Sequence, residues 1–438
     1  MDYPHRRVVI TGLGLISPLG ISPETLWEAL VSGTSAVRTI DSMRLDHLPT
    51  RFGAEARAFT GGIDDFGPLE GDKKKAIRKG LKLMCRETQM GVAAGQRALS
   101  DAGWGAGGYD VERTGVTFGS DYMMTAPQDF AAGISKCSSE GKFDFTRWGS
   151  EGMSEVTPLW LLLYLPNMPA SHLAIYNDLR GPSNSVTIRE ASSNLAIGEA
   201  FRTVARGNAE IMLAGSTGTR VHPMKFVHTL TQEQVAINGV EPSQASRPFD
   251  LNRSGQVLGE GAGAVVLEEL EFARTRGAKI YGELVGFGSS TVAGRDGVAD
   301  RKQAFVNAMT AAMKDANLMP ADIGHIHAHG LSTTTCDASE AAAICEVLGD
   351  QTDRVPVVAA KSFFGNLGAG SGAVELIASL FALQKSQLFP TLNYTTPDPA
   401  CPVRVTRDVG VAAGKCFLNL NITPQGQAAV IAVREYCD

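Results

Sequence analysis

The sequence lacks several features that would point to other classes of protein. It has no basic excess, because 40 lysines and arginines face 46 aspartates and glutamates and give a net charge of −6. No general attraction to nucleic acid or to an anionic membrane is therefore expected. The longest apolar stretches, such as Leu159–Leu165, are far shorter than a membrane span, and no signal-peptide pattern is found. These absences predict a soluble, cytoplasmic protein.

Cysteine and aromatic residues are also sparse. The seven cysteines form no CxxC pair, and aromatics make up only 7% of the chain. An odd number of scattered cysteines is typical of buried thiols in a reducing compartment rather than of a disulfide scaffold. What is abundant is apolar sequence: 44% of 438 residues is enough for a large core.

Strand patterns alternate with helical patterns along the chain. The predicted strands are Arg6–Gly20 (running into a glycine turn), Thr114–Gly119, Ile211–Gly215, Ala264–Leu267, Ile280–Val285, Val357–Ala360 and Ala429–Val433. The predicted helices are Pro23–Leu30, Lys73–Ala98, Ser193–Arg206, Lys302–Asn317, Asp337–Leu348 and Gly372–Lys385. This alternation favours an α/β fold with largely parallel sheets.

Two segments well over half the chain apart echo each other. Val8–Gly14 and Ile280–Gly288 are both strand patterns that end in Gly-x-Gly. A structural duplication would explain the echo, and so would a chance match of two strand–turn patterns. The sequence has no linker between halves, so we expect one compact body.

Short motifs spread over nearly the whole chain resemble those of one enzyme family. They follow the opening VVITGLGLISPLG and are Gly181-Pro182, AIGEA (196–200), Ala214-Gly215, SRPFD (246–250), GEGAG (259–263), AHG (328–330), Lys361-Ser362, PTLN (390–393) and PDP (397–399). Their order is that of the β-ketoacyl-acyl carrier protein synthases, the thiolase-fold condensing enzymes. The chain is identified as a divergent member of that family.

The resemblance implies a duplicated, thiolase-like fold with five layers, α/β/α/β/α, and a dimer. Residues 1–257 would form the half that carries the nucleophile position, and residues 258–438 the half that carries the His, Lys and Asn positions. In the family, a cysteine at a helix N-terminus takes an acyl group, and two histidines assist decarboxylation of a malonyl thioester. No cofactor is implied, because the acyl carrier protein presents the substrate on its phosphopantetheine.

The resemblance places a glutamate at the nucleophile position. In the segment SVTIREASSNLAIGEA (185–200), Glu190 stands where the family has its cysteine, and residues 138–335 contain no cysteine. The start of a helix accommodates a negative charge, but a carboxylate forms no stable thioester. Ser192 and Ser193 are typical helix-capping residues, and nothing in the sequence places a base beside them. Ordinary condensation is therefore not expected.

His329 matches the first family histidine, and Asp337 and Glu340 follow it at matching positions. A lone histidine is more often a buried core residue, but these neighbours favour a place in the active site. His325 and His327 alternate with His329, which would put all three on one face of a strand. No carboxylate spacing accompanies them, so no metal site is predicted.

Lys361 matches the family lysine whose charge organises the site, although a helix-edge surface lysine would look the same. Asn366 stands where the family has its second histidine. An asparagine amide still donates a hydrogen bond to a thioester oxygen, but it exchanges no proton near neutral pH. Binding or enolate stabilisation could thus survive while acid–base chemistry is lost.

The segment NLNITPQGQ (419–427) replaces the family's glycine-rich loop, which completes the oxyanion hole and gates the pocket. Counting back from the last strand puts Pro424 at the gating position, and proline has no backbone N–H. A one-residue shift would put Gln425 there and restore the donor. With Pro424 in place the oxyanion hole is incomplete, and loss of one such donor typically costs about 10²–10³ in rate.

A run of basic residues extends from the start to about the middle of the predicted Lys73–Ala98 helix. It comprises Lys73, Lys74, Lys75, Arg78, Lys79, Lys82 and Arg86. The plain interpretation is a solvated helix face. The functional one, implied by the resemblance, is a landing patch for acidic acyl carrier protein. Nucleic acid is disfavoured because no aromatics interleave the basic residues.

Three functions are compatible with these residues. The favoured one is a non-elongating malonyl-carrier decarboxylase or related acyl-thioester enzyme, in which His329 and Asn366 hold the thioester oxygen and Glu190 fills the acyl position. The second is a non-catalytic partner, like a chain-length factor, that forms a heterodimer with a Cys-containing ketosynthase. The third is an acyltransferase or synthase of the family type with unrecognised chemistry. A homodimer remains an alternative to the heterodimer.

Overall fold

The expected alternation of strands and helices is present in the computed structural model, which describes residues 6–437. Its strands are β1 (Val8–Ile16), β2 (Arg38–Thr39), β3 (Phe52–Gly53), β4 (Thr114–Ser120), β5 (Ser138–Ser139), β6 (Lys142–Phe143), β7 (Ser183–Val186), β8 (Ile211–Thr219), β9 (Glu260–Glu269), β10 (Gly282–Thr291), β11 (His325–His327), β12 (Val357–Val358), β13 (Cys416–Ile422) and β14 (Gln427–Arg434). Its α-helices are α1 (Pro23–Val31), α2 (Gly71–Gly80), α3 (Arg86–Asp101), α4 (Pro127–Lys136), α5 (Trp160–Leu163), α6 (Met168–Asn177), α7 (Ser192–Ala205), α8 (Pro223–Gln232), α9 (Leu270–Thr275), α10 (Arg301–Ala316), α11 (Thr334–Leu348), α12 (Lys361–Phe364) and α13 (Ser371–Lys385).

Ten of these strands form one sheet whose order reveals two related halves. The order is β12-β11-β13-β14-β10-β1-β9-β8-β4-β7. Strands β1 and β10 lie antiparallel at the centre, and each pairs on its other side with a second antiparallel strand, β9 or β14. Both central strands have a register shift near their start, after Ile10 and after Leu284. The echo in the sequence is therefore the trace of a duplicated fold with five strands in each half.

Helices separate and cover the two halves of the sheet. Helix α7 contacts β4 and β8 of the first half and β10 and β14 of the second, and α13 contacts β9 and β13. Helix α13 is buried on all sides from Ser371 to Leu383. On the outer faces, α3 packs against β1 and β9, and α10 packs against β10 and β14. The layers are thus α/β/α/β/α, the predicted thiolase-like fold class.

The repeated Gly-x-Gly lets the outer helices approach the central strands closely. A Cβ atom at Gly14 would lie 2.1 Å from the carbonyl oxygen of Ala94, and one at Gly288 would lie 2.2 Å from that of Ala308. No side chain fits at either place, so strand and helix backbones are in direct contact. The two halves use the same packing device.

The predicted Lys73–Ala98 helix is wrong as a single element. The chain forms α2, a 3-10 turn at 81–83 and then α3, with Cys85 in an extended conformation before the second helix. Only Ile77 of α2 is buried, whereas α3 is buried over most of its length. The 3-10 turn and the extended Cys85 thus separate a surface helix, α2, from a helix that packs against the sheet, α3.

No α-helix among residues 6–437 is both long enough and apolar enough to cross a membrane.

Candidate active site

The candidate site is a cavity of about 180 Å³ below the start of α7. Glu190 lies on its wall, in a 3-10 turn at 189–191 that leads into the helix. Arg189, the first residue of this turn, has a left-handed backbone with φ 44°, a conformation that β-carbon sterics disfavour outside glycine. Ser192 accepts a hydrogen bond from Ile188 N–H and donates one to Ser120 O, so it fixes the turn as a capping residue does. The turn aims the side chain of Glu190 inwards.

The Glu190 carboxylate is buried and held by two arginines. Its Oε1 lies 2.5 Å from an Nη of Arg220, and its Oε2 lies 3.4 Å from Nε of Arg189. Burial by itself would raise the pKa of Glu190, but the positive charges of Arg189 and Arg220 outweigh it and hold the pKa well below its ordinary value. Glu190 is therefore ionised at neutral pH.

Further ion pairs extend this contact on both sides. Arg220 is completely buried and also lies 3.1 Å from Oδ2 of Asp121, and Arg189 lies 2.5 Å from Glu233. The result is a buried chain of alternating charges that we call the Glu190 network: Asp121, Arg220, Glu190, Arg189 and Glu233. Buried charges are tolerated when each has such a partner.

His329 lies just beyond β11 and lines the same cavity. Its backbone N–H and that of Gly330 donate to the two oxygens of Glu340, at 2.6 and 2.8 Å. Burial and the charge of Lys361 hold the pKa of His329 well below its ordinary value, so the ring is neutral. Lys361 Nζ lies 3.3 Å from Nδ1. An ammonium group only donates, so we assign Nδ1 as the acceptor and place the ring proton on Nε2.

Lys361 and Asn366 are both fully buried beside these groups. Lys361 Nζ is 2.5 Å from Glu375 Oε1 and donates to the carbonyl of His329 at 2.8 Å. The amide nitrogen of Asn366 donates to Glu190 Oε1 at 3.1 Å and to Gln256 Oε1 at 2.8 Å. Both hydrogens of the Asn366 amide are therefore already in use.

The two acidic residues that follow His329 support it from α11. Asp337 accepts hydrogen bonds from the backbone N–H groups of Phe249 and Thr333, while Glu340 holds the turn at His329. Burial raises the pKa of Asp337 to about 6 and that of Glu340 to about 8. Both are positioning groups behind the cavity wall.

These raised pKa values predict how stability depends on pH. Folded Asp337 and Glu340 keep protons up to about pH 6 and 8, whereas unfolded carboxyls release them near pH 4. Their contribution is thus complete below about pH 4 and is lost as the pH rises through 6 and 8. We expect the melting temperature to fall between pH 5 and pH 8 in a fluorimetric scan. The variant Glu340→Gln should melt lower but show a flatter profile; an equal slope in both proteins would contradict the assignment.

The turn between β13 and β14 places its two candidate residues differently. Pro424 lies on the cavity wall, and its carbonyl accepts a hydrogen bond from Arg301 at 2.9 Å. Gln425 is exposed at the tip of the turn. The backbone N–H of Thr423 is bonded to Gln427 O at 3.0 Å, inside the hairpin.

Sequence comparisons decide the family. Sequence models described as "Beta-ketoacyl synthase, N-terminal domain" and "Beta-ketoacyl synthase, C-terminal domain" match residues 5–273 and 281–395. The chain belongs to the beta-ketoacyl synthase family.

Similar proteins support this assignment over the whole length. The chain is 33% identical to a 3-oxoacyl-[acyl-carrier-protein] synthase 2 of Synechocystis sp., covering 91% of both chains. It is 35% identical to that of Vibrio harveyi, covering 90% of this chain and 89% of that one. A beta-ketoacyl synthase structure from Burkholderia phymatum is 29% identical with a TM-score of 0.84, over 99% of this chain and all of the other. A chain of "the ishigamide ketosynthase/chain length factor" is 26% identical with a TM-score of 0.81 at the same coverage.

The histidines upstream of His329 serve the fold of this beta-ketoacyl synthase family member. His325 and His327 both bond to the hydroxyl of Ser379, at 3.1 and 2.8 Å, and His325 Nδ1 also lies 2.7 Å from Ala413 O. They point into the protein beneath α13 rather than into the cavity. Across residues 6–437, no group of three or more His, Cys, Asp or Glu is arranged to hold a metal ion.

The basic run is only partly available at the surface. Lys73 is not free for docking, because its Nζ donates to Gly105 O at 2.8 Å and to Asn177 at 2.9 Å. Lys74 and Lys75 pair with Asp64 and Asp72. Arg78, Lys79 and Lys82 are exposed on α2 and the turn after it.

Sequence reasoning missed the residues that surround Glu190. Arg220 and Asp121 each follow the end of a buried strand, β8 and β4, with no motif to mark them. Arg189 adjoins Glu190 in the sequence, but only its left-handed backbone brings its charge to the carboxylate. The sequence offers one indication of Arg220 and Asp121: each is a charged residue that directly follows a buried strand, at the end of the sheet that borders the cavity.

Proposed function

We propose that this chain is a non-elongating subunit that pairs with a cysteine-bearing beta-ketoacyl synthase, in the manner of a chain length factor. The observation that carries the proposal is the buried, ionised Glu190 carboxylate, tied to Arg220 at 2.5 Å and to Arg189 at 3.4 Å. A carboxylate in this state neither attacks a thioester nor mimics a neutral acyl group. Its charge would also repel the carboxylate of a malonyl group.

The groups that would bind a thioester oxygen are also occupied or altered. The Asn366 amide already donates to Glu190 and Gln256. Pro424 brings a residue without an N–H to the cavity wall. Together these features favour a site that no longer catalyses a reaction although its cavity is retained.

An open sheet edge supports pairing with a second chain. Strand β7 is the last strand of the sheet, and its residues Ser183 and Asn184 are exposed. An exposed edge offers unpaired N–H and C=O groups to a strand of another chain. One of the similar structures, the ishigamide ketosynthase/chain length factor, contains a ketosynthase together with a chain length factor.

The test is co-expression with the cysteine-bearing synthase of the same genome, followed by native mass spectrometry and an activity assay. We expect a 1:1 complex, and no acetyl-carrier from malonyl-carrier when the chain is assayed alone. A homodimer that ignores the synthase at equal concentration would overturn the proposal.

A malonyl-carrier decarboxylase is the second candidate, and one observation favours it. His329 is neutral, carries its proton on Nε2 and lines the cavity, which are the properties needed to donate to a developing enolate oxygen. Acetyl-carrier formed by the chain alone and abolished by His329→Ala would establish this activity. Activity that survives His329→Ala would remove His329 from it.

Docking of an acyl carrier protein is part of both candidates. The exposed residues Arg78, Lys79 and Lys82 face solvent, and an acidic carrier would be attracted to them. We expect Arg78→Glu with Lys82→Glu to weaken carrier binding by about tenfold at low salt, measured by fluorescence anisotropy. Lys314→Glu, on the exposed side of α10, is the matched control; equal affinity in both variants would exclude this patch.

The proposal requires no cofactor of its own, because the acyl group arrives on the phosphopantetheine of the carrier. We also propose a cytoplasmic location. All seven cysteines, from Cys85 to Cys437, are free, as expected in a reducing compartment.

A further inference from the structure

Two separate cavities lie near the Glu190 network. The small one, about 180 Å³, is the candidate site with Glu190 and His329 on its wall. The large one, about 1280 Å³, is lined by residues that include Glu87, Met123, Met124 and Lys225. Among the described residues, none that lines one cavity lines the other. The two spaces are neighbours without a shared wall residue.

A continuous row of side chains stands between the cavities. Glu190, on the small cavity, contacts Arg220, and Arg220 Nη1 lies 3.1 Å from the hydroxyl of Tyr122. The Tyr122 ring lies between two cations: its centroid is 5.5 Å from Arg220 Cζ and 5.2 Å from Lys225 Nζ. Lys225 pairs with Glu87 at 2.6 Å on the wall of the large cavity. These five residues span the distance from one cavity to the other.

The row is fixed in place by groups on its flanks. Arg220 is fully buried and bound to Asp121, and the Tyr122 hydroxyl lies 2.7 Å from Nδ1 of His228. Turning Arg220 aside would leave Asp121 buried without a counter-charge and Glu190 with Arg189 alone, which is strongly unfavourable. The partition therefore does not open by a simple side-chain rotation.

We propose that Arg220, held by Asp121 and Tyr122, closes the space around residue 190 to long acyl chains. The small cavity has room for about six water-sized volumes at roughly 30 Å³ each, which matches a short acyl group. A long chain that enters from the His329 side would have to pass through the space of the Arg220 guanidinium. The large cavity is reached from its own open side. This inference concerns access to residue 190, where the family has its nucleophile, and it does not depend on whether this chain performs chemistry there.

The test measures which reagents reach residue 190. The variant Glu190→Cys supplies a thiol there, and N-ethylmaleimide and N-dodecylmaleimide are short and long probes. The sulfur adds to the maleimide double bond and the thiol proton ends on the adjacent carbon, so nothing leaves. Labelling is quantified on the peptide that contains residue 190. The exposed Cys437 reports the intrinsic reactivity of each probe in the same sample.

In Glu190→Cys alone, we expect the short probe to react at least about tenfold faster than the long one after normalisation to Cys437. In the variant that also carries Asp121→Ala and Arg220→Ala, the ratio should fall to about one, because the cavities are joined. A ratio that is the same in both proteins would overturn the proposal. So would failure of the short probe to react with Glu190→Cys, because the small cavity should admit it.

A second variant guards against loss of folding. Tyr122→Ala combined with Glu190→Cys removes the ring from the partition but keeps the Asp121–Arg220 pair, and it should lower the ratio by an intermediate amount. Lys314→Ala with Glu190→Cys is the surface control, because Lys314 is exposed on α10 and lines neither cavity, and it should not change the ratio. The isolated chain is used without carrier or synthase, so the result does not depend on whether the chain pairs with a partner.

Discussion

Replacing Arg220 with methionine should lower the free energy of unfolding by about 3–5 kcal/mol. Arg220 is completely buried between two carboxylates, 2.5 Å from Glu190 and 3.1 Å from Asp121. Its loss leaves Asp121 in the interior without an ion-pair partner and Glu190 with only the longer contact to Arg189, and methionine fills a similar volume without replacing the charge. Chemical denaturation at pH 7, followed by tryptophan fluorescence, measures the change.

Two further variants show whether charge or packing is responsible. Arg180→Met removes two ion pairs of which all partners are substantially exposed, with Arg180 at 56%, Asp178 at 60% and Glu112 at 65%, and should change the unfolding free energy by less than about 1 kcal/mol. Adding Asp121→Asn and Glu190→Gln to Arg220→Met removes the unpaired charges and should restore most of the lost stability. If this triple variant is no more stable than Arg220→Met alone, charge burial is not the cause.

Replacing Lys361 with methionine should have an effect of similar size, about 3–5 kcal/mol. Lys361 and Glu375 are both buried and lie 2.5 Å apart. The change also deprives the His329 carbonyl of its donor at 2.8 Å. Differential scanning calorimetry at neutral pH, supported by denaturant titration, gives the loss.

The double variant Lys361→Met with Glu375→Leu separates the two contributions. A buried ion pair is often replaced by apolar residues at little cost in stability, so most of the loss should be recovered. The carbonyl of His329 and the amide of Asn421, which donates to Glu375 at 3.0 Å, would still lack partners. A double variant as unstable as Lys361→Met would show that those hydrogen bonds matter more than the charge.

How far the sequence predicts the site depends on the kind of residue. The motif positions Glu190, His329, Lys361 and Asn366 are brought together as the order of the motifs implies, because each follows or begins a regular element of the core. Whether they act in the proposed roles remains a prediction. The partners of Glu190 were not predictable in this way. Arg220 lies far from Glu190 in the sequence, and its burial follows only from packing in three dimensions.

The secondary structure likewise divides into segments that the local sequence predicts and segments that it does not. The apolar segments that form most of β1, β4 and β8 were predicted because each reads as a strand on its own. Strand β13 was not predicted, although the alternation of apolar residues with asparagine in FLNLNI is the pattern of a strand with one exposed face. The asparagines are buried: Asn419 and Asn421 bond to Asn194, Gly372 O and Glu375 inside the protein. Local pattern does not distinguish an exposed polar residue from one that is satisfied within the core.

The position of β1 at the centre of the sheet has a consequence for synthesis on the ribosome. Its two neighbours are β9 and β10, so Val8 pairs with Glu269 on one side and with Leu284 on the other. At about 5–20 residues per second, the first strand must wait tens of seconds for either partner to be translated. During that time a largely apolar segment, buried at every position in the finished protein, is exposed in the nascent chain. A chaperone that holds the N-terminal strand until β9 emerges should therefore raise the yield of folded protein more than one that acts after release.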